Sequence, residues 1–237
     1  MRVTALLTGR GNNTLEDKNI RDILGHPVLY YPANAGKKAD VFDEYYCSSD
    51  DTKILDAAYE IGYSRIVRPA ELATPDAQHK DCILHALQEM ENEGKLPDIL
   101  VVLLANNVTV KSKWIVDCVN MMKCDMEISA VVPVYNENDH HPLRAKRIGE
   151  NGFLEMYEKD VKGVISTNRQ DLPKCYFLAH NFWVLNVKKL LSGEGGQQPW
   201  DFMGYRIMPY EIEESLDIHK EEDLYLASKW LEANYED

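Results

Sequence analysis

Residues Arg2 to Pro27 read RVTALLTGRGNNTLEDKNIRDILGHP. An apolar run, Val3 to Leu7, stops at the turn Gly9-Arg10-Gly11-Asn12-Asn13. The charged triplet Asp17-Lys18-Asn19 follows, and a new amphipathic segment begins after it. A first strand that opens into a Gly-rich loop flanked by Arg and Lys can wrap phosphates. Glycine lets the backbone approach, successive N–H groups form an anion nest, and the cations neutralise charge. The pattern is neither a Walker A loop nor GxGxxG, because it lacks the Gly-Lys-Ser/Thr ending and the third glycine. The same residues also permit an ordinary Gly/Asn turn after an edge strand.

Further along, short apolar runs alternate with helical patterns, the signature of βαβ units and a largely parallel sheet. Strands are expected near residues 3–7, 44–47, 64–67, 98–104 and 127–134. Helices are expected near 27–35, 52–61, 78–92 and 113–123, with Asp50 or Asp51 capping the second. Residues 98–104 are the most apolar run and should be central. After Val134 the rhythm breaks: 135–180 is polar, carries His140-His141-Pro142 and is punctuated by Gly149, Gly152 and Gly163. This segment reads as an insertion with hairpins inside a single domain covering 1–237. The core resumes at 181–186, a strand is expected near 205–209, and a terminal helix from about 221 to 233. Ligands on open parallel sheets bind beyond the carboxyl ends of the strands. The residues at those ends, 8–13, 48–51, Arg68 and 105–107, should therefore share one rim.

The formal net charge is -13 over 237 residues, which argues against a nucleic-acid binder with its basic face. No apolar run approaches a membrane span, and Val3–Leu7 is too short for a signal-peptide core. A cytoplasmic protein is expected, with neither nucleic acid nor membrane as a partner. The five cysteines form no CxxC pair and are expected to be reduced and mostly buried.

Asp217 lies between Leu216 and Ile218, just before the last helix, and His219 shares its side if the segment is extended. A carboxylate placed there can hold a divalent cation against a triphosphate, or simply cap the helix. Lys18 and Arg10 are the natural phosphate cations. Arg68 either reaches a ligand or pairs with Glu71. His140 and His141 are adjacent, so on an extended chain they face opposite ways and share no metal.

Several segments together resemble one family, the acylneuraminate cytidylyltransferases. Thr8 to Asn19, TGRGNNTLEDKN, is similar to that family's ARGGSKGIPGKN signature. Ser48 to Leu72, SSDDTKILDAAYEIGYSRIVRPAEL, resembles STDxxxIAxxAxxxGxxxxxRPAEL. His140-His141-Pro142-Leu143 is similar to an HHPL stretch, Arg169 to Pro173 to RQxLP, and Ser215 to Asp223, SLDIHKEED, to SIDIDTEED. The resemblance runs through nearly the whole chain in order.

It implies a Rossmann-like α/β nucleotidyltransferase fold, with 135–180 as a dimerisation and sugar-site insertion. It implies Mg²⁺-dependent transfer of CMP from CTP to the anomeric hydroxyl of a nonulosonic, sialic-acid-like acid, with release of pyrophosphate, in a homodimer. Catalytic roles would fall to Asp217, Lys18 and Arg10. The nucleotide would meet Gly9, Arg10, Gly11, Asn12, Asn13, Lys18, Asn19, Arg68, Ala105 and Asn106. The sugar would meet His141, Arg144, Arg169 and Gln170, and the metal Asp217 and His219. The chain departs from the family where its loop lysine becomes Asn13, its LLQPTSPLR becomes residues 103–111, LLANNVTVK, and its second DID aspartate becomes His219. Three alternatives stay open: another keto-acid sugar or phosphonate acceptor, a different nucleotide, or a non-catalytic nucleotide- or sugar-binding relative.

Overall fold

The computed structural model describes residues 1–11, 13–161 and 163–235. The chain begins with strand β1 (Val3–Thr8), buried along its whole length. After the Gly-rich loop, β2 (Asp22–Ile23) and β3 (His26–Pro27) form a small hairpin. Its turn residues Leu24 and Gly25 both take positive φ, 51° and 86°. Helix α1 (Tyr30–Ala39), strand β4 (Glu44–Ser49), helix α2 (Thr52–Glu60) and strand β5 (Ser64–Val67) follow. Then come α3 (His79–Asn92), β6 (Ile99–Leu104), α4 (Ser112–Cys124) and β7 (Ala130–Asn136). The 135–180 region holds the hairpin β8 (Lys146–Ile148) and β9 (Leu154–Met156), then β10 (Tyr176–Leu178). The chain ends with β11 (Phe182–Asn186), α5 (Val187–Leu191), β12 (Ile207–Glu211) and α6 (Glu221–Asn234).

The main sheet has eight strands, in the order β10-β7-β11-β6-β1-β4-β5, with β12 also pairing along β7. β1 runs parallel to β4 and β6, β4 to β5, and β7 to β12. β10 and β11 are antiparallel to their neighbours, so the sheet is mostly rather than wholly parallel. This is the expected α/β architecture, and β6 lies mid-sheet as its apolarity required.

Alternation along the strands sorts the core into two layers. Val3, Ala5, Leu7, Val101 and Leu103 pack on one face with Ala33 of α1, Leu55 of α2 and Ile115 of α4. Leu6, Leu100, Val102 and Leu104 pack on the other with Ile83, Leu87 and Met90 of α3, and with Trp183 and Phe202. A smaller cluster under α6 joins Val108, Ile218 and Leu231. Each fully buried Leu or Val contributes roughly 1.5–3 kcal/mol by leaving water.

The differences from the sequence reading are local. The first helix starts at Tyr30 rather than Pro27, because His26 and Pro27 pair back onto Asp22 and Ile23. Asp51 does cap α2, its side chain accepting from the Lys53 N–H at 2.8 Å. β7 starts at Ala130 rather than Glu127, because Glu127 N–H donates to the Asp125 side chain in a turn. All five cysteines are free thiols; Cys47, Cys82 and Cys118 are buried. Among the described residues, no helix is long and apolar enough to cross a membrane.

Candidate active site

Beyond the carboxyl ends of β1, β5 and β6 lies a cavity of about 240 Å³. Its walls include Gly9, Arg10, Asn13, Lys18, Asn19, Arg68 and Asn106, seven of the ten residues expected to meet a nucleotide. Asn12 lies outside the described residues. The structure adds Thr8, Leu72, Thr74, Ala77, His79, Cys82 and Leu104.

The loop after β1 is fixed by side-chain amides and by its neighbour strand. Gly9 N–H donates to the Ser48 carbonyl at 3.3 Å, and Gly11 N–H to Asp50 Oδ1 at 3.0 Å. These two N–H groups are thus committed to the end of β4, which differs from an open anion nest: Ser48 and Asp50 offer acceptors within reach. The Arg10 carbonyl accepts from Asn13 Nδ2 and, at 2.9 Å, from Asn19 Nδ2. Arg10 Nη1 donates to the Thr74 carbonyl at 2.7 Å, which spans the cavity mouth. Gly9 is required by close approach, since an added Cβ would stand 3.1 Å from Ala105 Cβ and 3.3 Å from Asn19 Nδ2. Ala105, one of the residues expected to meet the nucleotide, is fully buried beneath that glycine and packs there rather than lining the cavity. Gly11 likewise lies off the wall, with Asp51 Cβ 3.0 Å from where its own Cβ would be.

Arg68 is buried and anchored. Its Nη2 donates to the Ser48 carbonyl at 2.8 Å and its Nε to Ser48 Oγ at 3.3 Å. The expected alternative pairing with Glu71 is not what holds it. Lys18 is largely sheltered; burial lowers its pKa, opposed by the attraction of Asp217.

Asp217 is held from behind by Asn107, whose Nδ2 donates to Asp217 Oδ1 at 2.7 Å and to Ser215 Oγ at 3.0 Å. Asn107 Oδ1 accepts from Thr109 N–H at 3.0 Å and from Thr109 Oγ1 at 2.6 Å. The same hydroxyl lies 3.1 Å from Asn181 Nδ2, which also donates to the Thr109 carbonyl, and 3.1 Å from Leu216 N–H. This network ties the β6–α4 loop to the 215–218 segment. Burial raises the Asp217 pKa; Asn107, His180, His219 and Lys18 oppose that rise. Sequence reasoning reached Asp217 and placed Asn107 on the rim through 105–107, but not the bond between them, and it missed Thr109 and His79. The signal for Asn107 was a polar pair directly after the most apolar strand.

His219 Nε2 lies 3.8 Å from Asp217 Oδ2, so the two do share a side. Among the described residues no three His, Cys, Asp or Glu side chains gather as a metal cage. One carboxylate with an oxygen free of Asn107 suits Mg²⁺, which takes one or two carboxylates and completes its shell with phosphate oxygens and water. An imidazole suits that hard ion less well, so His219 reads better as a neighbour of the carboxylate than as a ligand.

The four expected sugar contacts do not line this cavity. His141 is buried, its Nδ1 accepting from Leu143 N–H at 3.1 Å and its Nε2 lying 3.2 Å from the Pro173 carbonyl. Arg169 makes a two-pronged ion pair with Asp139 at 2.8 and 2.9 Å. Arg144 and Gln170 are exposed on the same insertion.

A mostly parallel three-layer sheet with a cationic cavity at its carboxyl edge has the Rossmann-like nucleotidyltransferase fold. It superposes with a TM-score of 0.72 on the solved structure of CMP:2-keto-3-deoxy-manno-octonic acid synthetase complexed with CTP, covering 98% of this chain and 99% of that one at 11% identity. It superposes at 0.67 on 4-diphosphocytidyl-2C-methyl-D-erythritol synthase from Anaerococcus prevotii, covering 98% of each chain at 12% identity. A family model described as cytidylyltransferase matches residues 10–167, and the chain belongs to that family. Pseudaminic acid cytidylyltransferase of Campylobacter jejuni is 25% identical over 95% of this chain and 94% of its own length. N-acylneuraminate cytidylyltransferase of Streptococcus agalactiae is 24% identical over 90% of this chain and 49% of its own.

Proposed function

We propose that this cytidylyltransferase transfers CMP from CTP to the anomeric hydroxyl of a nonulosonic acid and releases pyrophosphate. The observation that carries the reading is the meeting of Arg10, Lys18, Arg68 and Asn106 on one cavity, with Asp217 among the charged neighbours of Lys18. The relatives from Campylobacter and Streptococcus are named for pseudaminic and N-acylneuraminic acids, which supports an acidic nine-carbon sugar as acceptor.

The chemistry asks little covalent help of the protein. The anomeric oxygen attacks the α-phosphorus, the bond from that phosphorus to the bridging oxygen breaks, and pyrophosphate leaves with the electron pair. The hydroxyl proton passes to solvent or a nearby base. Lys18 and Arg10 place positive charge beside the triphosphate, where it is most useful as charge moves onto the leaving group. Arg68, locked against Ser48, forms a rigid wall rather than a mobile clamp. Asn107 holds Asp217 in one orientation. Mg²⁺, held by Asp217 when bound, supplies further neutralisation of phosphate charge.

The 135–180 insertion supports a homodimer. Ile148, Phe153, Leu154, Tyr157 and Val164 are all exposed on it, more apolar surface than a two-stranded hairpin can hide by itself. A two-fold partner is the common solution, and it would bring Arg144, Arg169 and Gln170 toward the neighbouring cavity.

The test is pyrophosphate release with CTP, Mg²⁺ and a panel of pseudaminic, N-acylneuraminic and 3-deoxy-octulosonic acids. CTP-dependent turnover with one of the first two supports the reading. Turnover only with the eight-carbon acid reassigns the acceptor. Thermal protection by CTP with no turnover on any acid makes the chain a binder.

A further inference from the structure

His79 opens α3 and lines the same cavity. Its Nε2 lies 3.1 Å from Thr8 Oγ1, and that hydroxyl lies 3.4 Å from the Leu103 carbonyl oxygen. A hydroxyl has one hydrogen, and a carbonyl only accepts. Both contacts are satisfied together when Thr8 donates to Leu103 and His79 Nε2–H donates to Thr8. Nδ1 then carries a lone pair, and it makes no hydrogen bond with a described residue. The Trp183 ring, 5.0 Å away, braces the imidazole. Burial, helped by the nearby charges of Arg68 and His180, pushes its pKa down to about 4, so the ring is neutral at physiological pH.

The cavity has two unlike ends. The charged neighbours of Lys18 are Asp217, Arg10 and Asp223, which is where a triphosphate and its metal are best held. The charged neighbours of His79 are instead Arg68 and His180, and the Arg68 guanidinium is already tied to Ser48. A nucleotide with its phosphates at Lys18 and its metal at Asp217 therefore turns its base toward His79. Cytosine presents an amine donor there, and uracil presents a carbonyl acceptor in the same place.

We propose that His79 is a specificity-determining residue for the nucleotide: its Nδ1 accepts a hydrogen bond from the exocyclic amine of cytosine and opposes O4 of uracil. Thr8 is the positioning residue that fixes the tautomer. The inference rests on the reading of this cavity as the CTP site.

Calorimetric binding of three ligands tests it: CTP, UTP, and the triphosphate whose base is pyrimidin-2-one, which lacks the amine. The unaltered protein should bind CTP roughly 10- to 100-fold more tightly than either of the others. His79→Ala should lose most of that preference while its affinity for the amine-free ligand changes little. Thr8→Val, which keeps the imidazole and frees its tautomer, should narrow the preference as well. His79→Gln can turn its amide to meet either base, so it should narrow the preference even where the alanine variant does not fold. An unaltered protein that binds all three ligands equally overturns the proposal. So does equal weakening of all three ligands in His79→Ala, which makes the residue a mere wall, or an intact preference in His79→Gln. Lys18→Ala separates the two levels. If it weakens all three ligands while the histidine variants keep their preference, only the role of His79 fails. If it weakens none, the cavity is not the CTP site and both readings fall.

Discussion

Asn107 and Asp217 are joined twice: by a 2.7 Å hydrogen bond from Asn107 Nδ2 to Asp217 Oδ1, and by an isolated antiparallel backbone bridge. Ile218 N–H adds a 3.0 Å bond to the Asn106 carbonyl. The carboxylate is therefore oriented by backbone and side chain together, near enough to Lys18 for the two charges to act on each other. If the proposed role holds, a group fixed in this way and partly desolvated would meet a metal–phosphate reaction already oriented.

Asp217→Asn tests that role with little change of shape. The amide oxygen can still accept from Asn107, so the local fold should persist. Turnover at saturating CTP should fall at least about a hundredfold if the carboxylate contributes several kcal/mol through its ion. Because burial raises the Asp217 pKa, its ionised form costs the folded chain stability as pH rises through that value. The asparagine variant should then melt no lower than the parent at neutral pH. Near-normal turnover at limiting Mg²⁺ would remove Asp217 from the mechanism.

Lys18→Ala and Arg10→Ala should each weaken CTP binding by roughly 1–3 kcal/mol, as expected for charge-assisted contacts to phosphate. Arg10 also bonds the Thr74 carbonyl, so its loss should loosen the cavity mouth, whereas loss of Lys18 should act through charge alone. Calorimetry at two salt concentrations distinguishes them. Unchanged affinity in both variants rules the loop out as the triphosphate cradle.

The pH dependence of stability carries a signature of His79. Its pKa in the folded chain, about 4, lies below the ordinary 6.5. A depressed histidine favours the fold above the ordinary value, and that contribution is lost as pH falls from about 6.5 through 4. Urea melts across this window should show stability falling with acid, and His79→Gln should flatten that part of the profile. Parallel profiles for the two proteins would show that the ring already titrates normally.

Much of this was legible in the sequence because it rests on local rules. The apolar runs at 3–7 and 98–104 identified two strands, and the second was expected to be central. Asp51 signalled a cap; Gly9 was read as giving phosphates access to the backbone, and what crowds it in the fold is Ala105. Pairing partners far apart in the chain were not legible. Nothing local reports that Gly11 N–H meets Asp50, that Arg68 is tied to Ser48, or that Asn107 reaches Asp217. His79 was hidden for a related reason: a lone histidine at a helix start looks like any surface residue until Thr8 and Trp183 are brought around it. Ala105 and Gly11 do not line the cavity because a small residue in a loop serves packing as readily as it serves a ligand.

The insertion gives the last prediction. Phe153 and Leu154 on the β8–β9 hairpin are 71% and 72% exposed, and Val164 in the segment after it is fully exposed. Such surface is expected at a subunit contact, so the protein should be a dimer at micromolar concentration by light scattering. Leu154→Asp should shift it toward monomer without lowering the melting temperature of the core. Arg169 follows from the same geometry. Its ion pair with Asp139 is exposed, and exposed pairs contribute little to stability, so Arg169→Ala should fold normally. It does not line the cavity of its own chain, so a role at the sugar requires delivery across the dimer. Arg169→Ala should then raise the KM for the acid sugar and leave CTP affinity unchanged, the pattern of a contact to one substrate. Leu154→Asp should reproduce that sugar defect while Arg169 is still present. A fully active monomer, or a loss of CTP affinity in Arg169→Ala, would show that each chain builds its site alone.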